Sequence, residues 1–269
     1  MRRGWARGLL AALAGMLVLA AACGGDDATK SDQAGSAGGS GTSGVDGSIT
    51  VFAAASLTDA FGDVKQAFEK ANPGAKVTFN FAGSSALKDQ ILQGAPADVF
   101  ASANQSNMDP VLDAGKASKD QVFVTNKLEI AVPKGNPGKV AGLDAFGTGG
   151  LRTGLCAADV PCGEFGREAL KNAGVTPKED TDEADVRALL TKVQSGDLEA
   201  GLVYVTDVLA GGDQVQGVEI PANENVIAKY PIAALSGSKE SATAAAFVAF
   251  VMSPDGQRLL AKRGFTPAA

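Results

Sequence analysis

Histidine is absent from all 269 residues, which excludes Ser-His and Cys-His nucleophile pairs and histidine-ligated metal chemistry before any motif is considered. A surplus of positive charge is missing too. The net charge is −6, so nucleic acid is not an expected partner. The apolar run at residues 8–22 is 15 long, short of the roughly 20 needed to cross a bilayer, and a polar tract follows it without a stop-transfer pattern. What is present is 45% hydrophobic and 20% charged, enough apolar mass for one large domain or two modest ones.

The first 22 residues have the order of an export signal: Arg2, Arg3 and Arg7 precede the apolar run, and Ala20-Ala21-Ala22 sets small residues before Cys23. This order resembles a bacterial lipoprotein signal, which implies cleavage before Cys23 and lipidation of that cysteine. It departs from the usual pattern in carrying leucine, Leu19, four positions before the cysteine rather than three. Removal of the three arginines takes the net charge from −6 to −9. Residues 23–46 are expected to be a disordered tether, because among Gly, Ser, Asp, Ala, Thr and Lys only Val45 is large and apolar.

From Ile49 onward the pattern alternates. Residues 49–54 read as a strand, and Leu57, Phe61, Val64, Ala67 and Phe68 recur at helical spacing until Asn72-Pro73-Gly74. Residues 77–81 repeat the strand, Gly83-Ser84-Ser85 the turn, and Leu87, Ile91 and Leu92 the helix, before a third strand at 97–101. Two apolar segments in 121–132 suggest strands that leave one sheet and enter another. Further strands are expected at 151–155 and 199–205, helices at 164–173 and 184–194, an extended stretch at 221–234, and closing helices at 244–252 and 256–261. The alternation implies an α/β fold of two lobes, each a mostly parallel sheet flanked by helices.

Ser56 opens a helix with Thr58 and Asp59 in its first turn, and Ser84 takes the equivalent place after the second strand. Each serine read alone is a helix cap. A helix amino terminus also presents unpaired N–H groups, so two such turns beyond adjacent strand ends suit an anion, even in a negative protein. Pro161-Cys162-Gly163 and Asp185-Val186-Arg187 precede two more helices. Tyr204 ends an apolar strand and reads equally as a half-buried aromatic or as a ligand hydroxyl.

Taken in order, these strings resemble the periplasmic molybdate-binding proteins of ABC importers. Ile49-Thr50-Val51-Phe52-Ala53-Ala54-Ala55-Ser56-Leu57-Thr58 opens the match, Gly94-Ala95-Pro96-Ala97-Asp98-Val99-Phe100 follows, and Arg263-Gly264-Phe265 closes it. The resemblance implies a two-lobed periplasmic binding protein type II fold with the ligand in the interlobe cleft. Lobe 1 is expected from 47–127 and 231–269, and lobe 2 from 128–230. It further implies an oxyanion held by Ser56 and Ser84 through hydroxyl and N–H, by Cys162 and Val186 through N–H, and by Tyr204 through its phenol. Cys162 stands where well-known members have alanine, and Gly83 where they have serine.

The implied protein is no enzyme and has no cofactor. It is a monomer, held outside the cell membrane by its lipid, that passes molybdate or tungstate to a permease; the alternative ligand is sulfate or another tetrahedral oxyanion. A donor-only site suits a fully deprotonated dianion, whereas phosphate would require an acceptor. A serine enzyme would need a base, and Lys88 is the nearest. Cys156 and Cys162, six positions apart around a turn, are expected to form a disulfide in an exported protein, the alternative being two free thiols.

Overall fold

The β-branched and apolar residues of 49–54 extend into a longer strand, β1 (Asp46–Ala54), paired in parallel with β2 (Gly74–Ala82) so that Ile49 faces Val77 and Val51 faces Phe79. The strand starts three residues before Ile49 because Val45 packs on the core and the Asp46 carbonyl accepts a hydrogen bond from the Thr243 hydroxyl. The computed structural model describes residues 45–268; the export signal, Cys23 and the tether as far as residue 44 lie outside the described residues.

Between β1 and β2, a short 3-10 turn (Ala55–Leu57) leads into α1 (Thr58–Ala71), which buries Phe61, Val64 and Phe68 along one face. Phe61 lies within 5.8–5.9 Å of Phe79, Phe123 and Phe247, and this aromatic cluster fixes the helix against the sheet. After β2 come α2 (Ser84–Leu92) and β3 (Val99–Ala101), the latter parallel to β1 on its other side. Sequence reading had no counterpart for α3 (Gln105–Asp113). Pro110 in its interior forfeits a ladder bond and masks the pattern, while Asn104 caps it by accepting from the Asn107 N–H.

A single long strand then replaces the two apolar segments. Residues 121–127 of β4 (Gln121–Pro133) pair antiparallel with β9 (Ile227–Ala234), and residues 128–133 pair with β7 (Ala200–Tyr204) and β8 (Val215–Val218). At about 3.3 Å per residue, its 13 residues extend some 40 Å and link both halves of the sheet.

The second half repeats the βα pattern with α4 (Ala145–Thr148), β5 (Thr153–Cys156), α5 (Pro161–Asn172), β6 (Thr181–Glu183), α6 (Val186–Gln194), β7 and α7 (Val205–Gly211). The starts of helices α5 and α6 differ from the sequence reading, which placed them at 164 and 184. Pro161 occupies the first turn of α5, where its missing N–H is harmless, and Asp185 caps α6, delaying it to Val186. The chain closes with α8 (Ser241–Met252), α9 (Pro254–Lys262) and β10 (Thr266–Pro267).

The order across the sheet is β2-β1-β3-β9-β4-β7-β5-β6, with β8 and β10 also on β4. Each half is parallel at its outer edge, and the antiparallel strands β9 and β4 make the centre mixed. No helix among the described residues is long and apolar enough to cross a membrane.

Candidate functional site

Four chain turns meet at one small cavity, with room for a few atoms rather than for a drug-sized ligand. Its lining includes Ser56 from the β1–α1 turn, Ser84 at the start of α2, Cys162 at the start of α5, Val186 at the start of α6, and Tyr204 at the end of β7. The structure therefore brings together all five residues singled out in the sequence.

Neither serine caps its helix. Ser84 Oγ accepts a hydrogen bond from the Ala103 N–H at 3.0 Å, and Ser56 Oγ lies 2.9 Å from the Tyr230 hydroxyl. Both serines are buried. In α6 the capping carboxylate of Asp185 accepts from the Arg187 and Ala188 N–H groups at 2.8 and 2.9 Å, which leaves the Val186 N–H as the uncapped donor of that turn.

The Cys162 N–H is presented by a turn closed by a disulfide to Cys156, with Cα atoms 5.6 Å apart. Gly163 is required there: a Cβ would meet the Ala157 carbonyl oxygen at 2.0 Å. Gly83 has a similar role across the cavity, where an added Cβ would lie 2.6 Å from the Ala184 carbonyl oxygen, so the two halves of the sheet approach backbone to backbone.

Tyr204 is 1% exposed, and its hydroxyl has no hydrogen-bond partner in the protein. Burial, reinforced by Tyr230 and Asp207, pushes the phenol well above its usual pKa, so it remains a donor. Its N–H donates to the Asp207 carboxylate at 3.2 Å. Burial also lifts Asp207, to about 7, against the pull of Arg187, whose Nε is 3.3 Å away.

Two polar contacts bridge the cavity's flanks. Arg187 of α6 pairs with Asp59 of α1, and Glu164 of α5 accepts from Asn104 Nδ2 at 2.7 Å and Ser106 Oγ at 3.1 Å. Sequence reading missed Asp207, Glu164 and Tyr230; the one available signal was that Tyr230 is the only tyrosine besides Tyr204. Lys88 is not among the lining residues and pairs with Asp89 at 3.2 Å.

The lining carries no lysine or arginine. It offers aimed N–H and O–H dipoles at helix starts, the arrangement that holds a small anion.

The chain matches the family described as bacterial extracellular solute-binding protein over residues 49–266. It is 41% identical over 219 residues to the molybdate-binding protein ModA of Mycobacterium tuberculosis, covering 81% of this chain and 84% of that one. Among solved structures, the periplasmic molybdate-binding protein of Azotobacter vinelandii superposes with a TM-score of 0.73 at 21% identity, covering 82% of this chain and all of the other. The sulfate-binding protein SubI of Mycobacterium tuberculosis superposes equally well, at 0.73 and 19% identity, covering 82% of this chain and 87% of that one. Both structures share the fold, and the fold alone does not choose the anion.

Proposed function

The chain belongs to the bacterial extracellular solute-binding protein family, and from that footing we propose that it captures molybdate, with tungstate as an equivalent ligand, for the permease of an ABC importer. The observation that carries this reading is the unpartnered, fully buried hydroxyl of Tyr204 at a cavity ringed by four turns without lysine or arginine. A buried hydroxyl without a partner is unfavourable by about 1–3 kcal/mol, and a ligand oxygen relieves that penalty.

The hydroxyls of Ser56, Ser84 and Tyr204 and the N–H groups of Ser56, Ser84, Cys162 and Val186 converge as donors. At about 1.5–3 kcal/mol for each bond to a charged acceptor, they suffice for micromolar affinity, about −8 kcal/mol, after the costs of association. The lining's one carboxylate, Asp185, has its Oδ1 engaged by the N–H groups of Arg187 and Ala188 at the start of its own helix, and the other polar groups named are donors.

In this reading residues 47–127 and 231–269 form one lobe and 128–230 the other; the change of partners along β4 near Lys127 and Leu128 supports the first boundary, while residues 227–230 of β9 pair with the first lobe's part of β4. The contacts Arg187 to Asp59 and Glu164 to Asn104 hold the lobes closed over the ligand. The protein acts as a monomer outside the cell, anchored by lipid at Cys23, and binds without catalysis.

Titration calorimetry of the purified protein against molybdate, tungstate, sulfate and phosphate tests this. One-to-one binding of the first two with the others silent is expected. Preference for sulfate would change the ligand, and silence toward all four would remove the oxyanion reading.

A further inference from the structure

This inference rests on the oxyanion reading and concerns how the site's serines become donors. A hydroxyl has one hydrogen to give and two lone pairs to receive, and rotates to suit its neighbours. At Ser84 the direction is fixed: the Ala103 N–H only donates, so it occupies a lone pair of Ser84 Oγ and leaves the serine hydrogen for the cavity.

Ser56 faces another hydroxyl, that of Tyr230, at 2.9 Å, and two directions are open to that bond. If Ser56 donates to Tyr230, its hydrogen is lost to the anion and it turns a lone pair toward negative charge. If Tyr230 donates, Ser56 matches Ser84. Tyr230 is fully buried in β9 and lies behind Ser56, outside the cavity lining. Phe265, Tyr204 and Phe123 hold its ring edge-on at 5.4, 6.1 and 6.4 Å. The neighbouring Asn126 and Thr206 side chains bond each other at 2.9 Å.

We propose that Tyr230 is a positioning residue whose O–H donates to Ser56 Oγ, so that the Ser56 hydrogen points at the ligand and the site selects tetrahedral oxyanions that carry no proton. With both serines so directed, a hydrogen phosphate would set its own O–H against two donors.

The test is a pair of double-mutant cycles read by molybdate calorimetry on the purified protein, with melting temperatures alongside. Tyr230→Phe is expected to weaken binding about tenfold in the parent and in Ser84→Ala, but less than twofold in Ser56→Ala, because phenylalanine keeps the ring packing on Tyr204 and the bond it loses is the one to Ser56. Equal losses in all three backgrounds would make Tyr230 a packing residue and overturn the proposal. Unchanged affinity, or a Tyr230→Phe protein that does not fold, overturns it as well. A parent silent toward molybdate fails at the earlier step and removes the oxyanion reading itself.

Discussion

Tyr204→Phe should move stability and binding in opposite directions. The substitution deletes one oxygen, which is buried at 1% residue exposure and lacks a protein partner, and it leaves the ring packed edge-on against Tyr230 at 6.1 Å. In the ligand-free protein an unsatisfied buried hydroxyl is unfavourable by about 1–3 kcal/mol, so its removal is neutral or stabilising. For a domain of this size each kcal/mol corresponds to roughly 2–4 °C in Tm. With ligand the sign reverses, since a hydrogen bond to a charged acceptor worth about 1.5–3 kcal/mol is lost, a ten- to hundredfold drop in affinity. The assay is a thermal melt of parent and variant without and with saturating molybdate, supported by calorimetry. An unliganded Tm equal to or above the parent's with a smaller molybdate shift is expected. A Tm that falls without ligand, or an unchanged Kd, refutes the reasoning, because the hydroxyl would then serve the fold.

Other consequences are equally open to measurement. Between its ordinary 3.8 and its raised value of about 7, Asp207 holds a proton in the folded state that the unfolded chain releases, so its contribution to stability falls as pH rises through that window and levels off above it. Asp207→Asn should flatten the decline in Tm between about pH 5 and pH 7; an unaltered slope would assign the decline elsewhere. Replacing Cys156 and Cys162 together by serine should reduce stability by about 2 kcal/mol, read as a Tm lower by several degrees, and should weaken molybdate binding by loosening the turn that presents the residue 162 N–H. Asp59→Asn and Glu164→Ala each remove a contact across the cavity. Release measured by stopped flow should quicken roughly two- to fivefold, as expected for partly exposed polar pairs, with association little changed; equal release rates would show that these contacts do not hold the closed form.

The strands and helices around the cavity were legible because each obeys a simple period. Phe61, Val64 and Phe68 repeat along one helix face, and buried strands such as β7 run continuously apolar. Helix α3 was not legible, since Pro110 breaks its pattern and its stability comes from the Asn104 cap and packing. The β4 strand was read as two because burial on both sides hides where one set of partners ends and the next begins. At the site, the turns were visible as serines and small residues after strands, yet their hydrogen bonds were not. Ser56 looked like a cap and instead meets Tyr230, 174 residues away in the chain. Contacts of that range, like those of Arg187 with Asp59 and Asp207, depend on topology that local sequence does not carry.

The absence of lysine and arginine from the cavity lining bears on behaviour in brine. A site built from lysine or arginine loses affinity as salt screens the attraction and competing anions crowd in. Here the attraction comes from buried dipoles, which salt screens less than exposed charges, while the full sequence carries a net charge of −6 and repels an approaching dianion. Added salt therefore screens a repulsion, and capture in a saline medium should proceed at least as well as in a dilute one.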